Sequence, residues 1–181
     1  TSGRHEDVLY HNEGNGTFRN AFKGSGLEIT SKYITQGVSG ADINRDGWGD
    51  LLITTINSND TAINNVIPRA INLLFLNNGD GTFRDVTAAY GLDQMYSFST
   101  GPSFSDFNED GYPDLYVANY FLSYEGKLSA INDAVIVHAN TTAPGYLLIN
   151  KKGQKLVNRF MDYGLNYKGF GFGGLPTDFD N

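Results

Sequence analysis

Asp42-Ile43-Asn44-Arg45-Asp46-Gly47-Trp48-Gly49-Asp50 decides the fold, because the chain writes it more than once. Asp106-Phe107-Asn108-Glu109-Asp110-Gly111-Tyr112-Pro113-Asp114 repeats its oxygen-bearing positions 64 residues later. A third copy begins at Asp178-Phe179-Asp180-Asn181, 72 residues beyond the second. Side chains at loop positions 1, 3 and 5 converge when a glycine at position 6 permits a sharp turn. Asp42, Asn44 and Asp46 would each give an oxygen there, the Trp48 carbonyl a fourth, and Asp50 would close the set. Asp106, Asn108, Asp110, the Tyr112 carbonyl and Asp114 repeat the arrangement, and Asp178 and Asp180 open a third. Donors that are all hard oxygen, with no His or Cys, select calcium over zinc or copper. Magnesium fits less well, since it demands regular geometry and dehydrates reluctantly.

The same spacing opens a helix-flanked EF-hand loop, which also needs a bidentate Glu at position 12. Position 12 is Ile53 in the first copy and Val117 in the second, and both lie in apolar runs of strand length. An EF-hand is therefore excluded on two counts. The acids are also concentrated: the three copies hold nine of the chain's 20 Asp and Glu residues, counting Glu109. Two calcium ions would bring the net charge from −7 to −3 and relieve the repulsion within each loop.

A second element alternates with the first. Asn12-Glu13-Gly14-Asn15-Gly16-Thr17-Phe18 returns as Asn77-Asn78-Gly79-Asp80-Gly81-Thr82-Phe83, and in degenerate form as Asn150-Lys151-Lys152-Gly153-Gln154-Lys155-Leu156. The final leucine of Gly26-Leu27, Gly91-Leu92 or Gly164-Leu165 follows nine residues after the last residue of each copy. Constant offsets with unequal periods place insertions in loops between constant structural parts. Leu51–Thr55 and Leu115–Ala118 follow the acidic loops, and Leu73–Leu76, Tyr146–Ile149 and Val8–Tyr10 precede the Asn/Gly turns. Gly37–Ala41 and Phe83–Val86 supply further runs, and the glycine-rich 169–174 reads as a crowded inner strand.

Four short strands per unit is the composition of a β-propeller blade, so the expected class is all-β, with blades of four antiparallel strands. The blades fall near 37–87 and 101–160, with the outer half of a preceding blade at 7–22 and the start of a following one at 170–181. Propellers close with about 4–8 blades. Two blades and two part-blades do not close, and the chain reads as a partial propeller from a larger ring.

Composition agrees. Twenty-two glycines and 13% aromatics among 181 residues suit short strands and tight turns rather than long helices. No stretch approaches the roughly 18 apolar residues of a membrane helix, and membrane insertion is not expected. A charge of −7 argues against nucleic-acid phosphates as partners. With no cysteine, neither disulfides nor thiolate metal sites are available, and a secreted protein then needs another staple, of which bound calcium is a common one.

The alternation of D-x-N-x-D-G-x-x-D loops with N-x-G-x-G-x-F turns resembles the FG-GAP/VCBS repeat family. The resemblance implies a seven-bladed propeller, calcium in the loops joining the first two strands of a blade, and a secreted or cell-surface location, with the periplasm as the bacterial equivalent. The family's name motif is only loosely kept, at Phe172-Gly173-Gly174-Leu175-Pro176, which weakens any link to integrin-type ligand binding.

Catalytic patterns are missing. His5, His11 and His138 share no spacing with one another or with an acid, and there is no nucleophile elbow or phosphate loop. Two segments, 57–69 and 120–144, replace short connections with longer polar ones, and long loops on a rigid scaffold are where recognition usually lies. Tyr120, Phe121 and Tyr124 are the aromatic candidates for a protein or glycan contact there, with packing inside the insertion as the alternative. The expected function is a non-enzymatic calcium-binding scaffold or adhesion module for an extracellular protein or glycan. Its rivals are the propeller portion of a larger secreted lyase or hydrolase, and a structural subunit that self-associates through unpaired blades.

Overall fold

The computed structural model describes residues 7–56, 70–96, 98–121, 143–169 and 171–177. The described residues run through three antiparallel sheets in order. β1 (Tyr10–Asn12) and β2 (Phe18–Asn20) form a hairpin. β3 (Ile34–Ala41), β4 (Asp50–Ile56), β5 (Leu73–Asn77) and β6 (Phe83–Asp85) form a four-stranded meander. β7 (Phe98–Ser105), β8 (Asp114–Phe121), β9 (Tyr146–Asn150) and β10 (Leu156–Asn158) form another. A 3-10 turn at Glu28–Lys32 is the helical element among the described residues. The protein is all-β, and two four-stranded meanders in sequence are consistent with part of a β-propeller.

Turn chemistry explains the hairpins. Asn77 Oδ1 accepts from the Gly79 N–H at 2.9 Å, and Asp80 Oδ1 accepts from the Thr82 N–H and hydroxyl at 2.9 and 2.6 Å. Asn12, Asn15 and Thr17 make the same bonds in the first hairpin. Side chains that imitate a backbone turn at both corners leave the glycines to take the left-handed geometry, φ 80° at Gly79 and 88° at Gly81.

The strands alternate in and out by twos, and this sorts the core into layers. Leu52 pairs with Leu74 and Leu115 with Leu148. These four, with Ile43, Val117, Leu92 and Leu156, fill the space between the two meanders. The opposite face of the first meander buries Ile53, Leu73 and Phe75 under Leu27, with Leu9 and Phe22 alongside. The opposite face of the second meander gathers Leu147, Ile149, Phe160 and Tyr116.

Two local expectations change, and one element is new. Of the run Val8–Tyr10 only Tyr10 enters a strand, and Leu9 instead packs into the core beneath the first meander. The 3-10 turn carries no strong sequence signal. The glycine-rich run is not an inner strand among the described residues: Gly169 makes one isolated bridge, to Ala143. Beyond it the Gly171 N–H donates to the Asn119 carbonyl at 3.0 Å, and Gly171 accepts from the Thr100 hydroxyl at 2.9 Å. Single bonds to the inner strands hold it there without a ladder.

Candidate metal centre

Each acidic loop joins the first two strands of a meander, β3 to β4 and β7 to β8. Its side chains fold inward onto its own backbone. Asp42 accepts from the Asp46 and Gly47 N–H groups at 3.0 and 2.8 Å. Asn44 Oδ1 shares the Asp46 N–H at 3.0 Å, and Asp46 Oδ1 accepts from Trp48 N–H at 2.9 Å. The second loop repeats every bond: Asp106 to Asp110 and Gly111 at 3.1 and 2.7 Å, Asn108 to Asp110 at 3.0 Å, and Asp110 to Tyr112 at 3.0 Å. Left-handed φ values of 62° at Arg45 and 56° at Glu109, then 91° at Gly47 and 84° at Gly111, wind both loops the same way. Such a residue at position 4 is costly unless its surroundings hold it there.

Asp50 and Asp114 play a different part. Both are fully buried. Asp50 accepts from the Ile43 and Asn77 N–H groups, each at 2.9 Å. Asp114 accepts from Phe107 and Asn150 at 2.9 and 2.7 Å. Each therefore ties its loop to the third strand of its sheet. Burial pushes both carboxyls above the ordinary carboxylate range; the backbone donors pull them down, and Asp46 and Asp42, or Asp110 and Asp106, push them up again. Among the described residues no lysine or arginine forms an ion pair with these acids.

The arrangement puts the side-chain oxygens of positions 1, 3 and 5 around one stretch of backbone. Among the described residues no three His, Asp or Glu side chains come close enough to hold an ion by themselves. A cation here would need the Asn44 or Asn108 oxygen and the Trp48 or Tyr112 carbonyl beside the aspartates. That oxygen-only donor set, with uncompensated negative charge, fits calcium. When bound, the ion would supply the positive charge that the loop lacks.

Of the other predicted residues, Asp178, Asp180 and Tyr124 lie outside the described residues. Tyr120 and Phe121 belong to β8 rather than to an insertion. The Tyr120 ring packs on Phe98 and lies 4.8 Å from the Phe172 ring, so it helps hold the glycine-rich segment in place. His11 is exposed and sits 3.3 Å from Glu13.

Sequence reasoning missed the residues that brace the loops. Asn77 and Asn150 signal turns, yet their backbone N–H groups hold Asp50 and Asp114, and the Asn77 side chain donates to the Gly49 carbonyl at 3.0 Å. The same asparagine closing the third strand of both sheets was the available signal. Trp48, the chain's single tryptophan, lies on the following turn. A Cβ on Gly79 would stand 2.7 Å from its indole. Gly79→Ala is expected to lift Trp48 off the turn, shifting its fluorescence to the red, and to cost about 1–3 kcal/mol because φ there is left-handed. Emission spectra with chemical denaturation check both.

Residues 54–117, from β4 through the second acidic loop into β8, match the FG-GAP-like repeat family. Cartilage acidic protein 1 of Xenopus tropicalis is 43% identical over 49 residues, which is 27% of this chain and 8% of that protein. The human protein of the same name is 43% identical over 49 residues, and the mouse one 41%. The match thus spans less than a tenth of these relatives' length, 7% in the human protein. With two meanders built alike around two loops bonded alike, the stretch 54–117 is similar to an FG-GAP-like repeat.

Proposed function

We propose that the chain is a calcium-stabilised, non-catalytic section of a β-propeller, acting outside the cytoplasm as a scaffold or adhesion module for a protein or glycan. The observation that carries it is the bond-for-bond identity of loops 42–50 and 106–114. Two separate stretches adopt one left-handed geometry that gathers acidic oxygens, with no lysine or arginine paired to them among the described residues. Calcium explains that arrangement. The metal loops and Asn/Gly turns share one end of each meander, and the β4–β5 and β8–β9 connections leave from the other. That layout supports a reading with rigidity at one end and recognition at the other. The match to cartilage acidic protein 1 supports the location. Thermal melts in calcium and in chelator test the reading: a melting temperature raised by calcium and lowered again by chelator is expected, and equal values would contradict it.

A second reading, self-association, is favoured by one groove. It has a volume of about 410 Å³ and is lined by Phe107, Tyr116, Leu147, Tyr163, Leu165 and Leu175, among others. By the repeat offsets, the first five are the counterparts of Ile43, Leu52, Leu74, Tyr90 and Leu92, which form the core between the meanders. The groove is thus half of an inter-sheet core, and its complement is another sheet of this kind. The chain alone is expected to sediment as concentration-dependent oligomers, which Leu165→Asp disperses. A monomer at every concentration would contradict this.

A further inference from the structure

Asn150 stands between the two acidic loops and spends its hydrogen-bonding groups joining them. It is fully buried. Its side-chain amide donates to the Ile43 carbonyl of the first loop at 2.8 Å and to the Pro113 carbonyl of the second at 3.0 Å. Its backbone N–H donates to Asp114 at 2.7 Å, and its side-chain oxygen accepts from Gly153 at 2.8 Å. Ile43 in turn donates its own N–H to Asp50. One continuous series of bonds therefore runs from Asp50 through the Ile43 backbone and Asn150 to Asp114, the last acid of one loop to the last acid of the other.

Two further contacts join the same pair of loops. The Arg45 guanidinium, at position 4 of the first loop, lies 5.3 Å from the centre of the Tyr112 ring in the second. A Cβ on Gly153 would stand 2.8 Å from Asn44 Cα, so the turn after Asn150 is seated on the first loop. Asn77, the counterpart of Asn150, reaches only within its own sheet in the bonds it makes to Gly49 and Asp50.

We propose that the two loops take up calcium as a coupled pair, with Asn150 as the positioning residue that carries order from one to the other. This rests on the calcium reading given above. Order gained at the first loop would reach the Ile43 backbone through Asp50, which accepts its N–H, and the Ile43 carbonyl holds the Asn150 amide. That amide and the Asn150 N–H then hold Pro113 and Asp114 in place. The second loop, already ordered, loses less conformational freedom on binding, which is positive cooperativity. Linkage requires the effect to be equal in both directions.

Calcium chloride calorimetry on the 181-residue chain, with circular dichroism to confirm folding, tests this in the wild type, Asp46→Ala and Asp110→Ala. The surviving loop in either variant is expected to bind about fivefold or more weakly than it does beside a loaded partner. Asn150→Ala should bring that factor toward one. Arg45→Ala, on the exposed loop, should shrink it as well and serves if Asn150→Ala does not fold. Amide exchange gives a readout that a merely structural role would not move: in Asp110→Ala, loading the first loop should slow exchange at Asn150 and Phe107. Surviving loops that keep their wild-type affinity would overturn the coupling and leave two-ion binding standing. A wild-type chain that binds no calcium would overturn the reading beneath it.

Discussion

Asp46→Ala and Asp110→Ala are each expected to lose one calcium ion and to melt about 5–10 °C below the wild type in saturating calcium. An ion held at a hundred times its dissociation constant stabilises the folded state by about 2.7 kcal/mol, which sets that range. In chelator the difference should shrink or reverse. The variants then lose only the bonds to Trp48 or Tyr112 and their partner asparagine, and they gain relief from crowded negative charge. Paired melts with and without calcium make the comparison. Equal losses in both conditions would assign the aspartates to turn geometry alone.

Leu92→Ala should cost about 2–5 kcal/mol, whereas Leu165→Ala should cost under about 1 kcal/mol. The two leucines hold the same place in the repeat, after the same glycine. Leu92 is fully buried between the meanders, while Leu165 is 39% exposed at the groove. Their neighbours follow suit: Tyr90 is 5% exposed against 51% for Tyr163, and Ile43 0% against 37% for Phe107. Urea denaturation of both variants at low protein concentration checks the difference. Similar losses would mean that the groove is covered by the chain's own packing in solution. If the difference closes only at high concentration, a second sheet is closing over Leu165.

The repeat made the architecture legible. Loop, strand, Asn/Gly turn and strand recur at fixed offsets, and local bonds execute each turn, so the order of strands could be read without knowing what they pack against. The loop acids were legible for the same reason, because positions 1, 3 and 5 interact within five residues of one another. What stayed hidden depends on distant chain. Asn150 meets Ile43 across 107 residues, and its spacing from that partner follows no local rule. The strand expected at 169–174 failed because glycines that permit close approach do not supply a partner: Gly171 bonds to Asn119 and Thr100 and goes no further. Tyr120 invited a binding role beside a long insertion, yet β8 extends through it and its ring packs on Phe98 and Phe172.

Calcium stoichiometry of the folded chain tests the central claim most directly. Calorimetric titration of metal-free protein, with Trp48 fluorescence followed in parallel, should show at least two ions bound per chain and a change in Trp48 emission as its loop fills. A folded chain that takes up no calcium, and whose tryptophan emission does not respond to it, would contradict the account.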